Sequence, residues 1–147
     1  MKHINQVYPK NSSICNCLNV RRASRAVTQF YDEALKPSGL TIAQLGLLRH
    51  LELGESTTIS ELAKMMRIDR TTLNRNMKPL LETGLITIKA GQDSRTRHVM
   101  LTGAGKDAAT KAWALWGKAQ ASLKEYLGEE DQAKLVQLLS KLEALVP

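Results

Sequence analysis

Apolar residues recur at helical steps of three and four along most of this chain. Val20, Ala23, Val27, Phe30, Tyr31 and Ala34 predict a helix from about Cys15 to Lys36 with one face buried, closed by Pro37-Ser38-Gly39. Thr41-Ile42-Ala43-Gln44 has the S/T-x-x-Q form in which hydroxyl and amide side chains satisfy each other's backbone N–H groups. It opens a second helix through Leu45, Leu48, Leu51 and Leu53, which Gly54 stops. Thr58-Ile59-Ser60-Glu61 repeats the pattern and starts a short helix with Leu62, Ala63 and Met66 on its apolar side. The turn Arg67-Ile68-Asp69 follows. Asp69 is a suitable N-cap for a further helix running to about Thr83, and Gly84 then takes the position after a helix that favours glycine.

The period then changes. Leu85 to Lys89 and His98 to Leu101 are β-prone runs, and the polar, basic stretch from Ala90 to Arg97 between them reads as a hairpin loop. Thr102 and Gly103 open a long Ala-rich helix to about Tyr126. Gly128-Glu129-Glu130-Asp131 begins the last one, with Leu135, Leu138, Leu139, Leu142 and Leu145 at spacings of three and four. The expected order is α-α-(β)-α-α-β-β-α-α, with an early strand in parentheses.

Two helices joined by a tight turn and followed by a basic-tipped hairpin form the layout of a winged helix-turn-helix, which lays its second helix in the major groove of DNA. The expected fold is therefore mainly α with a small β-wing. Residues 1–40 would form an N-terminal arm and dimerisation helix, 41–102 the winged DNA-binding domain, and 103–147 the C-terminal dimerisation helices. On the second helix Arg70, Asn74 and Lys78 are four apart, with Thr71 and Arg75 on the adjacent row. Leu73, Met77, Leu80 and Leu81 are expected on the opposite side. Arg pairs with guanine and Asn with adenine, while Thr and Lys suit phosphates. Pro79 removes a backbone donor, so a local kink is expected there. At the hairpin tip, Arg95 and Arg97 suit the negative potential of the minor groove, and Asp93 is expected to pair with one of them or to form the turn.

Charge agrees with an anionic partner. Of the net +7 on 147 residues, residues 1–40 carry six basic and two acidic groups, 41–102 nine and six, and 103–147 six of each. The excess thus lies in the first two-thirds. No stretch is long and apolar enough to span a membrane, and residues 1–14 show no secretory pattern, so a cytoplasmic protein without membrane association is expected. The C-terminal leucine row, with Trp113 and Trp116, needs covering. A second copy would cover it and set two recognition helices about 34 Å apart.

Leu62 to Arg75, Leu80-Leu81-Glu82-Thr83-Gly84-Leu85-Ile86, Asp93-Ser94-Arg95 and Leu101-Thr102 with Gly105 together resemble the MarR family of bacterial and archaeal winged-helix regulators. The resemblance spans nearly the whole chain. It implies a homodimer on a palindromic operator in double-stranded DNA, and repression relieved by a small molecule or by oxidation. Arg95 matches the wing-tip arginine, and Thr72 and Arg75 fall among positions that face DNA. Cys17 to Tyr31 also resembles the organic-peroxide-sensing OhrR branch, in which a reactive cysteine opens the first helix. Cys17 and Tyr31 match it, while Arg21 and Ile42 stand where that branch has other tyrosines.

Cys15 and Cys17 are expected within the first helix, where residues two apart point about 200° apart. A disulfide would then join subunits or need local unwinding. Packing, redox sensing and metal binding all remain open for this pair, with His3, His50 and His98 the only histidines; no metal or cofactor is assigned. By analogy with the family, a small aromatic acid would bind between the dimerisation helices and the winged unit, against Arg21, Phe30, Tyr31, Leu47 and His50. Phosphate loops, nucleophile elbows, zinc-protease motifs and paired carboxylates are missing from the sequence, so an enzyme is not expected. The alternatives to a DNA-binding regulator are a dimeric helical interaction module and a thiol peroxidase using Cys17.

Overall fold

A computed structural model describes residues 9–53, 56–93 and 95–147. Among these, α1 (Asn16–Leu35) is followed by a 3-10 turn (Lys36–Ser38), α2 (Ile42–Glu52), β1 (Thr57–Thr58), α3 (Ile59–Met66) and α4 (Arg70–Glu82). Then come β2 (Ile86–Ala90), β3 (Arg97–Leu101), α5 (Gly103–Leu127) and α6 (Glu129–Glu143). The antiparallel sheet has the order β1-β3-β2, with Thr58 opposite His98 and Lys89 opposite the same residue on the other side. No helix among the described residues is long and apolar enough to cross a membrane.

The helix starts follow their caps. Thr41 and Thr58 each accept from the backbone N–H three residues on, while the Gln44 and Glu61 side chains accept from the cap N–H in return. Helix α4 ends at Gly84, φ +74°, where the Leu85 N–H reaches back to the Leu80 carbonyl at 2.9 Å. Helix α3 ends through the same type of bond, Ile68 to Ala63 at 3.1 Å, but with Arg67 in the left-handed region at φ +54°. Sequence reading missed this, because glycine is the usual residue there. Gly54, expected to stop α2, lies outside the described residues. Leu53 lies past the end of that helix and is exposed, not part of its buried face.

One core joins the winged unit to the first half of α5. Leu35, Leu45, Leu47, Leu48, Leu62, Leu73, Leu80, Ile86 and Val99 are fully buried, and Ala109 and Ala112 let α5 lie close over them. Thr102 fixes this junction. Its N–H donates to the Leu85 carbonyl at 3.1 Å, and its hydroxyl reaches the carbonyls of Gly84 (2.7 Å) and Leu85 (3.0 Å) while accepting from the Gly105 N–H. The start of α5 is thereby tied to the turn between α4 and the wing.

Trp116 packs partly against the core while Trp113 stays 39% exposed; the two rings stack at 4.2 Å and 7°, and the Arg49 guanidinium lies 4.0 Å over Trp113. Elsewhere the apolar faces remain bare. Only Tyr31 and Leu35 of α1 are buried, so the expected buried face of that helix is limited to its last turns. Helix α6 has no buried residue, and Leu145 lies beyond its end. The end of α6 returns to the α3–α4 turn, where Glu143 pairs with Arg67 at 2.9 Å on the surface.

Candidate nucleic-acid interface

Asp69 sets the start of α4 by accepting from the Thr72 N–H at 2.8 Å and the Thr72 hydroxyl at 2.9 Å. Thr72, expected to face DNA, is thus engaged at the cap. These bonds from Thr72 hold the Asp69 carboxyl below the usual carboxylate range. The folded value lies below the unfolded one. The contribution is therefore complete above the unfolded value of about 3.9 and is lost as pH falls through the folded value. Asp69→Asn should retain a cap without that titration. Its melting temperature should lie below wild type near neutral pH, and the gap should narrow as pH falls through the folded value of Asp69; a gap independent of pH would remove this account.

Helix α4 buries Leu73, Met77 and Leu80 and leaves Arg70, Thr71, Asn74, Arg75 and Lys78 exposed. Leu81 departs from the expected apolar side. Seven residues beyond Asn74, it returns to nearly the same direction, and it lines an outward groove of about 540 Å³ with Arg70, Asn74, Lys78 and, from the wing, Ile88 and Arg97. The helix continues through Pro79 to Glu82.

Arg95 sits at the wing tip and Arg97 opens β3 beside it, opposite Ala90. Asp93 supplies the turn: its carboxylate accepts from the Arg95 N–H at 3.1 Å and its carbonyl from the Thr96 N–H at 2.9 Å. Among the described residues it forms no ion pair with a tip arginine, so of the two expectations the turn is the one seen. Nor does any described carboxylate pair with Arg70, Arg75, Arg95 or Arg97. Ser94 lies outside the described residues. A second cleft, about 220 Å³, brings Arg70, Arg95 and Arg97 together with Thr58 and Ser60 at the start of α3. The sequence showed Thr58 only as a helix cap; its pairing with β3 is what carries it to Arg97.

The sensor candidates separate. Cys15 and Cys17 are exposed and free at the start of α1. Cys15 is the extended residue before the helix (φ −90°, ψ 113°), not a member of it, so the 200° separation does not apply. Leu47 is a fully buried core residue and cannot line a ligand cleft. Tyr31 is buried, its hydroxyl bonds to the Gln120 side chain, and burial raises its pKa. Phe30 meets the Tyr31 ring edge-on at 5.6 Å. His50 Nδ1 donates to the Gly46 carbonyl at 2.7 Å, and Arg21 is exposed. Among the described residues no cluster of three or more His, Cys, Asp or Glu could hold a metal; His3 lies outside them.

A MarR family model matches residues 38–96, from the turn after α1 into the wing. The M. tuberculosis transcriptional regulator MosR, solved in complex with DNA, is 37% identical with a TM-score of 0.77, the match covering 90% of this chain and 99% of that one. The reduced form of MarR from E. coli is 25% identical with a TM-score of 0.68, covering 90% and 98%. An HTH-type transcriptional regulator of Bacillus cereus is 29% identical over 126 residues, 85% of this chain and 84% of its own.

Proposed function

This chain belongs to the MarR family, and from that premise we propose that it is a homodimeric repressor that binds a palindromic operator in double-stranded DNA. The observation that carries this reading is the alignment of exposed polar and cationic side chains on one side of the winged unit, with Arg70, Asn74, Arg75 and Lys78 on α4 and Arg95 at the wing tip. Helix α4 would read the major groove and Arg95 would enter the adjacent minor groove. The bare faces of α1 and α6 would meet those of a second copy.

Operator binding should weaken with salt. Arg75→Ala should cost about 1–3 kcal/mol of specific affinity, the range for a side chain reading a base, and Arg95→Ala should weaken binding several-fold. Titrations of a selected operator at fixed salt measure both; unchanged affinity in the two variants would refute the wing-and-helix arrangement. The protein would act in the cytoplasm and no catalytic activity is assigned to it. Multiple turnover of peroxide with a thiol reductant would overturn that assignment.

For relief of repression, the exposure of both thiols favours oxidation over a ligand between Tyr31 and Leu47, whose polar and apolar surfaces are already engaged. Peroxide should release DNA from the wild type and leave Cys17→Ser bound. Equal release from both proteins would return the search to small aromatic acids.

A further inference from the structure

The cleft lined by Thr58, Ser60, Arg70, Arg95, Thr96 and Arg97 meets the core only at Ile59, and none of its three guanidinium groups has an ion-pair partner among the described residues. Its position is set by three elements: α4 on one side, the wing on the other and the first turn of α3 as its floor. In that turn the Thr58 hydroxyl accepts from the Glu61 N–H, which leaves its own proton free to donate outward. The Glu61 carboxylate is turned to the Thr58 N–H and is held there at 3.1 Å. The Ser60 hydroxyl stands beside it, and the first-turn amides of a helix have no partner within the helix.

If α4 lies in a major groove and the wing tip in the adjacent minor groove, one sugar-phosphate strand separates them. That strand must cross between α4 and the wing, over this cleft. We infer that the cleft holds one backbone phosphodiester of each half-site, with Arg70 and Arg97 as its charged jaws and the Thr58 and Ser60 hydroxyls as donors beneath. The inference rests on the DNA-binding reading and deepens it. Arg97 becomes a residue that sets register and carries no base preference, although its place on the wing suggested a groove contact. Thr58 and Ser60 become interface residues that neither the helix pattern nor the wing motif marks.

The test is a scan of the operator duplex in which single phosphates are replaced by neutral methylphosphonates, read against wild type, Arg97→Ala and Ser60→Ala. For the wild type, one position per half-site should cost about five- to tenfold in affinity, the scale of a hydrogen bond to a charged group. At that same position the replacement should cost Arg97→Ala little, because its partner is already gone. The slope of log affinity against log salt should fall by about 0.9 for each phosphate that the variant no longer neutralises, and preference for operator over scrambled DNA should be retained. Ser60→Ala, which alters no charge, should weaken binding with an unchanged salt slope.

Inorganic phosphate at constant ionic strength should leave operator binding unaltered; release by it would make the cleft a free-anion site and overturn the DNA assignment. A changed base preference in Arg97→Ala would overturn it too, as would a methylphosphonate profile identical to that of the wild type. A wild type with no preference for any DNA sequence would remove the regulator reading itself, and this inference with it.

Discussion

Gly105→Ala should destabilise the chain by about 3–5 kcal/mol, while Gly103→Ala, two residues earlier, should leave stability unchanged or slightly raised. A Cβ at Gly105 would stand 2.1 Å from the Leu85 carbonyl oxygen and 2.7 Å from Leu101 Cδ1. The leucine tip can turn aside, but the carbonyl cannot. It is held by the Thr102 N–H and hydroxyl, at 3.1 and 3.0 Å, and it belongs to the turn that closes α4. Relief therefore requires the first turn of α5 to move away from the winged unit, which breaks both bonds. Overpacking of this kind costs about 1–3 kcal/mol and each broken hydrogen bond about 1, against a total stability of about 5–15. At Gly103 nothing lies within 4 Å, and alanine is the better helix former. Urea midpoints of the two variants check this, and equal midpoints would show that the junction can yield. DNA affinity of Gly105→Ala should fall with the folded fraction, because the same junction carries α5 away from the DNA-reading elements.

That contrast shows what was legible in the sequence. Caps and turns act within three or four residues, so Thr41 with Gln44, Thr58 with Glu61, Asp69 and Gly84 could be read where they stand, and each takes its expected place. The hairpin and its basic tip were equally local. Gly105 was visible only as part of a family resemblance; its physical reason, a carbonyl from twenty residues earlier, appears only once the chain is folded. The left-handed Arg67 escaped because propensity favours glycine there, and the burial of Ile68 against the core outweighs it. Leu81 was misplaced for a related reason. Periodicity gives the direction of a side chain along its own helix and says nothing of what packs against it, so Leu81 became groove wall; Leu47, assigned to a ligand cleft by analogy with the family, is core. The phosphate cleft was least legible, since its residues come from α3, α4 and the wing and meet only through the β1–β3 pairing.

Leu138→Glu combined with Leu142→Glu should convert the dimer to a folded monomer and abolish specific operator binding. On α6, Leu135, Leu138, Leu139 and Leu142 are 37%, 57%, 46% and 43% exposed, and none belongs to the core cluster. With Val20 and Val27 on α1, each 42% exposed, they make more bare apolar surface than scattered single residues would. Burying a leucine contributes about 1.5–3 kcal/mol. Leu138 and Leu142 are about half exposed in the protomer, so each has about half of that to gain in an interface; four per dimer amount to about 3–6 kcal/mol, and carboxylates placed in the interface add a further cost. Dimer dissociation should therefore increase by at least about 10²-fold. Thermal unfolding of the winged unit should persist, because its packing does not use these side chains. Specific binding requires two α4 helices held about one DNA turn apart, whereas the cations of one protomer still attract any duplex. The variant should therefore retain weak, salt-sensitive, sequence-independent binding and lose its preference for the operator. Sedimentation equilibrium beside operator and scrambled-DNA titrations separates these effects. A dimer that survives both substitutions would place the interface elsewhere, and a monomer with undiminished operator preference would show that one recognition helix and one wing suffice.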